Sequence, residues 1–147
     1  MSTRRTLNDT EWVNFSNQLG LDDDARTILY NHARISGPRS LQAIRLSQWE
    51  QFWKGATKAA SNEGVSLSWT AEQGLQALIL YMEYCKAASL NYGPDGLLDE
   101  LEVRDVFLSG DLISKWKARV ADLLVWKEER VTKLDMEPLK SLQNEKN

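Results

Sequence analysis

The most apolar stretch of this chain, residues 73–88, has the sequence QGLQALILYMEYCKAA. One stripe within it recurs at steps of three and four residues, the spacing of a helix, and consists of Leu75, Leu78, Ile79, Met82 and Cys85. Four further residues widen this stripe well beyond half of the circumference: Ala71, Leu80, Tyr81 and Tyr84. A helix that is apolar on most sides is expected at the centre of a bundle, covered by several neighbours. A second copy of the protein is an alternative cover for one side.

The same stretch is too short to cross a membrane. Glu72 and Glu83 leave only the ten residues between them uncharged, about half of the roughly 20 that a bilayer requires. The first residues, MSTRRTLNDT, carry positive charge, but no apolar run follows them, so we predict no secretory signal. Cys85 is the only cysteine, which excludes a disulfide within the chain and favours a reducing compartment. We therefore expect an intracellular protein, cytoplasmic or nuclear, with no transmembrane segment.

Length and pattern together predict one α-helical domain. A chain of 147 residues is long enough to bury a real core as a single domain. Strand signals are scarce, because the chain has no alternating Val/Ile/Thr runs and no Asn-Gly or Asp-Gly hairpin; its one Asp-Gly pair, at 95–96, is not flanked by alternating apolar residues. We predict an all-α fold, a compact multi-helix bundle in which an N-terminal helical part packs on a long central helix and a C-terminal amphipathic helix. The predicted segments are 9–60, 65–92 and 97–136, followed by a polar tail at 137–147.

Local signals in the first half mark helix ends. Asp9 or Thr10 can cap a first helix that stops at Gly20, and Asp22 to Asp24 open a second helix, where carboxylates meet the positive end of the helix dipole. That second helix is predicted to direct His32 inward. Ser36, Gly37 and Pro38 force a turn. Ser47 and Glu50 have the spacing of a capping box, which predicts a helix beginning near residue 48.

The second half has equally clear breaks. The central helix is predicted to start at Ser68 or Thr70, and Thr70 with Gln73 matches a further capping-box spacing. The segment NYGPDG, residues 91–96, is the strongest break in the chain. A shorter helix is predicted after it, ending near Ser109 and Gly110. Asp111 can then cap a long amphipathic helix whose apolar residues are Leu112, Trp116, Val120, Leu123, Leu124, Val131 and Leu134.

The residues offer little for catalysis. The one His and the one Cys, His32 and Cys85, lie on different predicted helices with no activating neighbour, so a nucleophilic dyad is not expected. Two such ligands are too few for a structural zinc site, and the glycines are too scattered for a phosphate-binding loop. Adjacent carboxylates, such as Asp99 and Glu100, are interpreted as solvated charges. We therefore predict no enzyme, no cofactor and no metal.

Charge is distributed unevenly along the chain. Residues 25–60 contain six basic residues and one acidic residue, Glu50, although the whole chain has a net charge of −3. Such a chain could hold a polyanion on a basic face in residues 26–58, or dock this face on the acidic part of a neighbouring copy. A solvated surface is the third interpretation. The candidate contact residues are Arg34, Arg39, Arg45, Lys54 and Lys58.

Six Trp residues are many for a chain of this length. Each indole must be covered over most of its surface while its N–H finds an acceptor, so the tryptophans predict either an extensive core or a face that binds a protein partner. The candidate core or interface aromatics are Trp49, Trp53, Trp69, Trp116 and Trp126.

Two parts of the chain, covering about half of it, carry a family resemblance. Residues 14–58, NFSNQLGLDDDARTILYNHARISGPRSLQAIRLSQWEQFWKGATK, resemble a SAM-like or helix-hairpin-helix-like module, although the glycine hairpin that holds phosphate in the latter is missing. The segment VSLSWTAEQGLQALILYMEYCKAAS is similar to the long helix that follows such a module in Gag-like proteins of algal retroelements. The matching residues are Val65, Ser66, Ser68, Ala71, Glu72, Leu75 and Leu78. The resemblance implies a non-enzymatic structural protein that self-associates and contacts nucleic acid.

Three functions remain open from the sequence. The preferred hypothesis is a structural or protein-interaction domain whose partners include the protein itself. The second is a nucleic-acid-associated protein that uses the basic face; the acidic balance of the whole chain disfavours it. The third is a helical bundle that holds a small ligand between its helices.

Overall fold

A computed structural model describes residues 6–90 and 96–124 of the chain. This described part consists of helices and short links and contains no β-strand, which confirms the predicted all-α class. The elements are α1 (Asp9–Leu19), α2 (Asp23–Ala33), α3 (Pro38–Leu41), a 3-10 helix (Leu46–Gln48), α4 (Trp49–Asn62), α5 (Trp69–Ala88) and α6 (Glu100–Leu108). A last helix, α7, begins at residue 112 and continues to residue 124, where the described part ends.

The central helix α5 is enclosed, as its sequence predicts. Half of its residues are buried, and four of them, Leu75, Ala77, Leu78 and Cys85, have no exposed surface. Its neighbours are α1, α6 and the 3-10 helix, while α2 packs on α4 and α3 on α6. Burial on several sides explains why this helix has apolar residues around most of its circumference.

Glycine lets α1 approach α5 closely. A Cβ on Gly74 of α5 would overlap the backbone carbonyl oxygen of Leu19, so only glycine fits at this crossing. Gly20, the residue that follows α1, is the C-cap of this helix and has a left-handed φ of 102°. This confirms the predicted helix end. A Cβ on Gly20 would lie only 2.9 Å from Cγ2 of Thr70, which places the end of α1 beside the start of α5.

The first helix caps agree only partly with the sequence. The N-cap of α1 is Asn8, not Asp9 or Thr10: its side chain accepts a hydrogen bond from Glu11 N at 2.8 Å, and Glu11 reaches back to Asn8 N at 3.0 Å. This is the reciprocal capping box. Asp22 caps α2 as predicted, because its carboxylate accepts from Ala25 N at 2.8 Å. Asp23 and Asp24, in the first turn of α2, lie at the positive end of the helix dipole.

The predicted capping box of Ser47 and Glu50 is wrong. Its place is taken by the 3-10 helix, which leads directly into α4 without a side-chain cap at Gln48. The N–H of Trp49 already donates to the carbonyl of Leu46, so the chain enters α4 with its first donors partly satisfied by backbone. At α5, by contrast, Ser68 is the cap and accepts from Ala71 N at 3.0 Å. The Thr70 and Gln73 spacing is therefore not used.

Within the described residues, the C-terminal helices agree only partly with their prediction. Asp99 caps α6 by accepting from Glu102 N at 3.1 Å, and α6 ends at Leu108, just before the predicted stop. On α7, Trp116 and Val120 are buried. The predicted apolar residues Leu123 and Leu124 are 41% and 43% exposed. Val131, Leu134 and the tail at 137–147 lie outside the described residues.

A chain of aromatic contacts ties the two halves together. Phe15 of α1 meets Phe107 of α6 edge-on with ring centroids 6.4 Å apart. Phe107 in turn packs against Tyr81 of α5 at 5.5 Å, and Tyr81 packs against Trp116 of α7 at 5.4 Å. These rings join four helices through one core. The sequence places these aromatic residues on helices but does not show which of them are in contact.

Within the described ranges, no helix is long and apolar enough to span a bilayer.

Candidate interaction surfaces

A surface groove runs between the α3 to 3-10 helix loop and the second half of α5. Its volume is about 510 Å³. Its apolar lining comes from Ala43 and Ile44 on the loop and from Ile79, Met82 and Ala87 on α5. Ile79 and Met82 are buried beneath the groove, Ile44 is half-buried and forms one wall, and the exposed Ala43 and Ala87 complete the apolar surface. We call this feature the α5 groove.

The rim of the α5 groove is charged. Arg45 borders it on the loop side, and Glu83 and Lys86 border it on α5. All three residues are exposed, and none of them makes an ion pair or a side-chain hydrogen bond with another described residue. An aliphatic floor with a polar, charged rim is the usual anatomy of a surface that binds another protein.

A smaller depression continues from the α5 groove on the other side of Ile44. It has a volume of about 280 Å³ and reaches Phe52 of α4. Gln48 and Gln51, both exposed, border it. Because amide side chains can donate and accept, these glutamines extend the polar rim. The two depressions together form a furrow with Ile44 in its middle.

A second groove, between α1 and α2, differs in its charges. Its volume is about 530 Å³, and Trp12, Tyr30 and Ile35 contribute its apolar surface. Its cation, Arg26, is fully engaged: it pairs with Asp23 and donates to Asn17 Oδ1 at 2.7 Å and to the Leu21 carbonyl at 3.0 Å. These bonds fix the α1 to α2 turn and leave the guanidinium little capacity for a partner.

Trp69, the first residue of α5, is the most exposed large apolar side chain among the described residues. It is 70% exposed. Its position explains why: the cap Ser68 and the neighbour Thr70 are also exposed, and burial on α5 begins only at Ala71. The sequence singled out Trp69 as a core or interface aromatic, and the structure excludes the core.

The surroundings of Trp69 are acidic. Glu72 lies one turn further along α5, and Glu63 lies six residues before Trp69 at the end of α4. Because Gly20 lies against Thr70, the acidic run from Asp22 to Asp24 is also at this end of the molecule. No basic residue occurs between Lys58 and Lys86 in the sequence. We call Trp69 and these acidic residues the Trp69 end.

Two further predicted tryptophans form a stacked pair on α4. The rings of Trp49 and Trp53 lie 5.2 Å apart with an interplanar angle of 19°. Trp49 is buried and donates from Nε1 to Glu72 Oε2 at 3.0 Å, while Trp53 is half-buried. Trp49 is therefore a core residue with a satisfied indole N–H, as such residues require. Trp116 is also core, and Trp126 lies outside the described residues.

The five predicted basic contact residues do not all lie on one basic face. Arg34, which ends α2, lies with its guanidinium 5.0 Å from the centroid of the Tyr30 ring. Arg45 borders the α5 groove. Lys54 and Lys58 lie one helical turn apart on α4 and are exposed. Arg39 is half-buried and donates inward to the Leu98 carbonyl, and its role as a contact residue for a polyanion stays a prediction.

Arg39 belongs to a buried junction with Glu100. Glu100 is only 5% exposed; its Oε1 accepts from Leu7 N at 2.8 Å and its Oε2 accepts from Arg39 N at 2.8 Å. The Arg39 side chain donates from Nε to the Leu98 carbonyl at 2.7 Å. A Cβ on Gly37 would lie 2.8 Å from Glu100 Oε2, so the carboxylate enters where a side chain is absent. We call this arrangement the Glu100 junction.

The Glu100 junction was missed by sequence reasoning. Asp99 and Glu100 were interpreted as solvated charges, whereas both are buried. Asp99 is the N-cap of α6. Glu100 joins α6 to two segments that are distant in the sequence, one at Leu7 and one at Arg39. The available signal was the glycine before Pro38, which opens space at the start of α3. It did not identify which side chain would fill that space.

His32 and Cys85 lie in different environments. Cys85 is fully buried on α5, as predicted. His32 is exposed and packs on the side of α4, with its ring centroid 6.0 Å from that of Phe52, so its predicted inward direction is wrong. Glycine at position 55 explains this packing, since a Cβ there would lie 3.3 Å from His32 Nε2. Across residues 6–90 and 96–124, no cluster of metal-ligand side chains occurs.

A half-buried ion pair links the N-terminal and C-terminal parts. Arg104 Nη1 lies 2.9 Å from Glu11 Oε2, and its guanidinium also pairs with Asp105 at 2.9 Å. The hydrogen bond from the Asn8 backbone lowers the pKa of Glu11, and Arg104 lowers it further. Hydrogen bonding to Asp105 raises the pKa of Arg104. This ion pair links α1 to α6 and is not a candidate binding site, because the charge of Arg104 is already compensated by Glu11 and Asp105.

The comparisons with known proteins give no class for this fold and these surfaces. No protein-family model matches the chain, and no significant match exists among curated proteins or solved structures. The function is therefore inferred from the surfaces themselves.

Proposed function

We propose that this protein is a non-enzymatic structural domain that associates with other copies of itself. The observation that carries the proposal is the exposure of Trp69. The chain buries most of α5, yet it leaves the indole at the start of the same helix 70% exposed. Tryptophan is strongly enriched among the residues that dominate binding at protein interfaces.

The α5 groove supports the same function. Single exposed apolar residues are common on soluble proteins and need no explanation. Here, however, an exposed indole occurs together with an aliphatic furrow whose charged rim residues have no ion-pair partner among the described residues. Each of these two features has the composition of a surface that binds another protein.

The sequence resemblance agrees with this proposal. A self-associating helical domain is also what the resemblance to Gag-like proteins implies, and that relationship stays a prediction. The nucleic-acid alternative has less support, because Arg39 is used inside the domain and Arg34 lies over Tyr30. The small-ligand alternative would have to use one of the same grooves and also stays a prediction.

Measurement of molecular mass against concentration tests the proposal. We expect sedimentation equilibrium of nuclease-treated protein to show an average mass that rises with concentration above the 16.8 kDa of one chain. Nuclease treatment excludes bridging by nucleic acid. A mass that stays at one chain throughout, up to the solubility limit, would contradict self-association.

A further inference from the structure

We infer that the α5 groove of one copy receives Trp69 of another copy, so that molecules join head to tail. This inference rests on the proposed function and names the two surfaces that meet. It differs from mere self-association, because it requires two different faces on each molecule. Each face can then be disabled separately.

Trp69 cannot occupy the groove of its own chain. Trp69 is the first residue of α5, whereas the groove residues Met82 and Glu83 lie more than three turns further along the same helix. At 1.5 Å per residue, the separation along the axis is about 20 Å. A continuous helix holds the two features at this distance, so the indole in the groove must come from a second molecule.

The groove has the size and lining for an indole. Its volume of about 510 Å³ leaves space for a Trp side chain and for parts of its flanking residues. The exposed Ala43 and Ala87 and the half-buried Ile44 give the apolar surface against which the ring can lie, above the buried side chains of Ile79 and Met82. An aromatic anchor that fills an apolar pocket is the common centre of a protein interface.

The charges of the two faces are complementary. Arg45 and Lys86 on the groove rim outnumber Glu83. The Trp69 end carries the acidic residues Glu63 and Glu72 together with the run from Asp22 to Asp24. Arg26 pairs with Asp23, and the other four carboxylates leave this end acidic. When the indole enters the groove, the acidic residues of one copy approach the basic rim of the next. Such an arrangement raises the association rate and sets the orientation.

A contact between two different faces propagates. A head-to-tail pair still has one free groove, on one copy, and one free Trp69, on the other copy, so further copies can add at both ends. The product is a ring if the rotation between copies closes and an open filament if it does not. A self-complementary contact, by contrast, would stop at a dimer.

A mixing experiment tests this pairing. Trp69→Ala removes the indole but keeps the groove, whereas Arg45→Glu with Lys86→Glu reverses the rim but keeps Trp69. We expect each variant alone to self-associate about thirty-fold or more weakly than the wild type, the scale of a lost hot spot. Mixed at equal concentration, they retain one intact pair of faces, so we expect a 1:1 heterodimer that does not grow further.

Matched controls separate the possible outcomes. Lys54→Glu with Lys58→Glu changes the charge by the same amount on α4, away from the groove, and is expected to assemble like the wild type. Circular dichroism and thermal melting of every variant check that it folds. Assembly of the Trp69→Ala variant at wild-type strength, or a mixture that stays monomeric, would overturn the pairing.

The same series distinguishes failure of the pairing from failure of self-association. If the wild type is monomeric throughout, both proposals are wrong. If Leu123→Glu with Leu124→Glu on α7 abolishes assembly while Trp69→Ala does not, self-association holds and the pairing is wrong. Ala118→Glu, on the opposite and exposed side of α7, is the control for that pair.

Discussion

The Glu100 junction and the α5 groove both bring charged side chains from distant parts of the chain together, with opposite results. At the junction, both carboxylate oxygens of Glu100 accept backbone N–H groups at 2.8 Å and the group is 5% exposed. On the groove rim, Arg45, Glu83 and Lys86 are exposed, and no other described residue pairs with them.

This difference separates structural charges from those available for binding. A buried carboxylate is tolerated because it is satisfied, and its removal leaves its donors without acceptors. An exposed and unpaired charge costs the fold little, so it is free to meet a partner. We therefore expect substitutions at the Glu100 junction to lower the free energy of unfolding, and substitutions on the rim of the α5 groove to weaken self-association instead.

The largest effect is expected at the junction. Glu100→Ala leaves the N–H groups of Leu7 and Arg39 without their acceptor and opens a hole beside Gly37. Because two charge-assisted hydrogen bonds are lost, we expect the free energy of unfolding to fall by about 3 kcal/mol or more. Urea denaturation followed by circular dichroism measures this loss. The exposed Glu102 on the same helix is the control, and Glu102→Ala should cost about 0.5 kcal/mol or less.

The groove is expected to show the reverse response. Arg45→Glu with Lys86→Glu should leave the free energy of unfolding within about 0.5 kcal/mol of the wild type, because neither side chain pairs with another residue in the described part of the chain. The same substitutions should weaken self-association by about 2 kcal/mol, since they turn attraction to the acidic Trp69 end into repulsion. A large loss of stability with unchanged association would show that the rim is structural.

An intermediate effect is expected at Glu72. Its Oε2 accepts the indole N–H of the buried Trp49 at 3.0 Å. Glu72→Ala leaves this donor buried without an acceptor, so we expect a loss of about 1–2 kcal/mol in urea denaturation. Glu72→Gln keeps an acceptor oxygen and should recover most of it. Equal losses for the two variants would show that the hydrogen bond contributes little.

The smallest effect is a pH dependence at Glu11. Its pKa lies below the ordinary value of 4.5, chiefly through the Asn8 backbone hydrogen bond and then through Arg104. A depressed carboxyl pKa stabilises the fold above the unfolded-state pKa, and this contribution is lost as the pH falls through the folded-state pKa. The stability advantage of the wild type over Glu11→Gln should therefore shrink below pH 4.5. An advantage that does not change with pH would contradict the linkage.

Sequence alone predicted the parts of this fold that depend on local signals. The periodicity of residues 73–88 identified α5 as the enclosed helix, and Gly20 and Asp22 marked helix ends correctly. The Ser47 and Glu50 box failed, because a 3-10 helix precedes α4 and its backbone bonds, from Gln48 N to the Arg45 carbonyl and from Trp49 N to the Leu46 carbonyl, replace a side-chain cap. Local spacing cannot show which of two local solutions the chain adopts.

The sites depend on contacts between distant residues, which the sequence does not reveal. Glu100 bonds to Leu7, 93 residues away, and to Arg39, 61 residues away. Counting basic residues between 26 and 58 grouped Arg39 with Arg45, although one side chain points inward and the other borders the groove. The α5 groove was also missed, because its walls come from two segments that pair only in the folded chain.

Sedimentation of the equimolar mixture of Trp69→Ala with the Arg45→Glu, Lys86→Glu variant tests the central claim most directly. The account predicts that each variant alone stays close to the mass of one chain, 16.8 kDa, and that the mixture reaches twice this mass and stops there. A mixture whose mass equals that of its separate components would contradict the account.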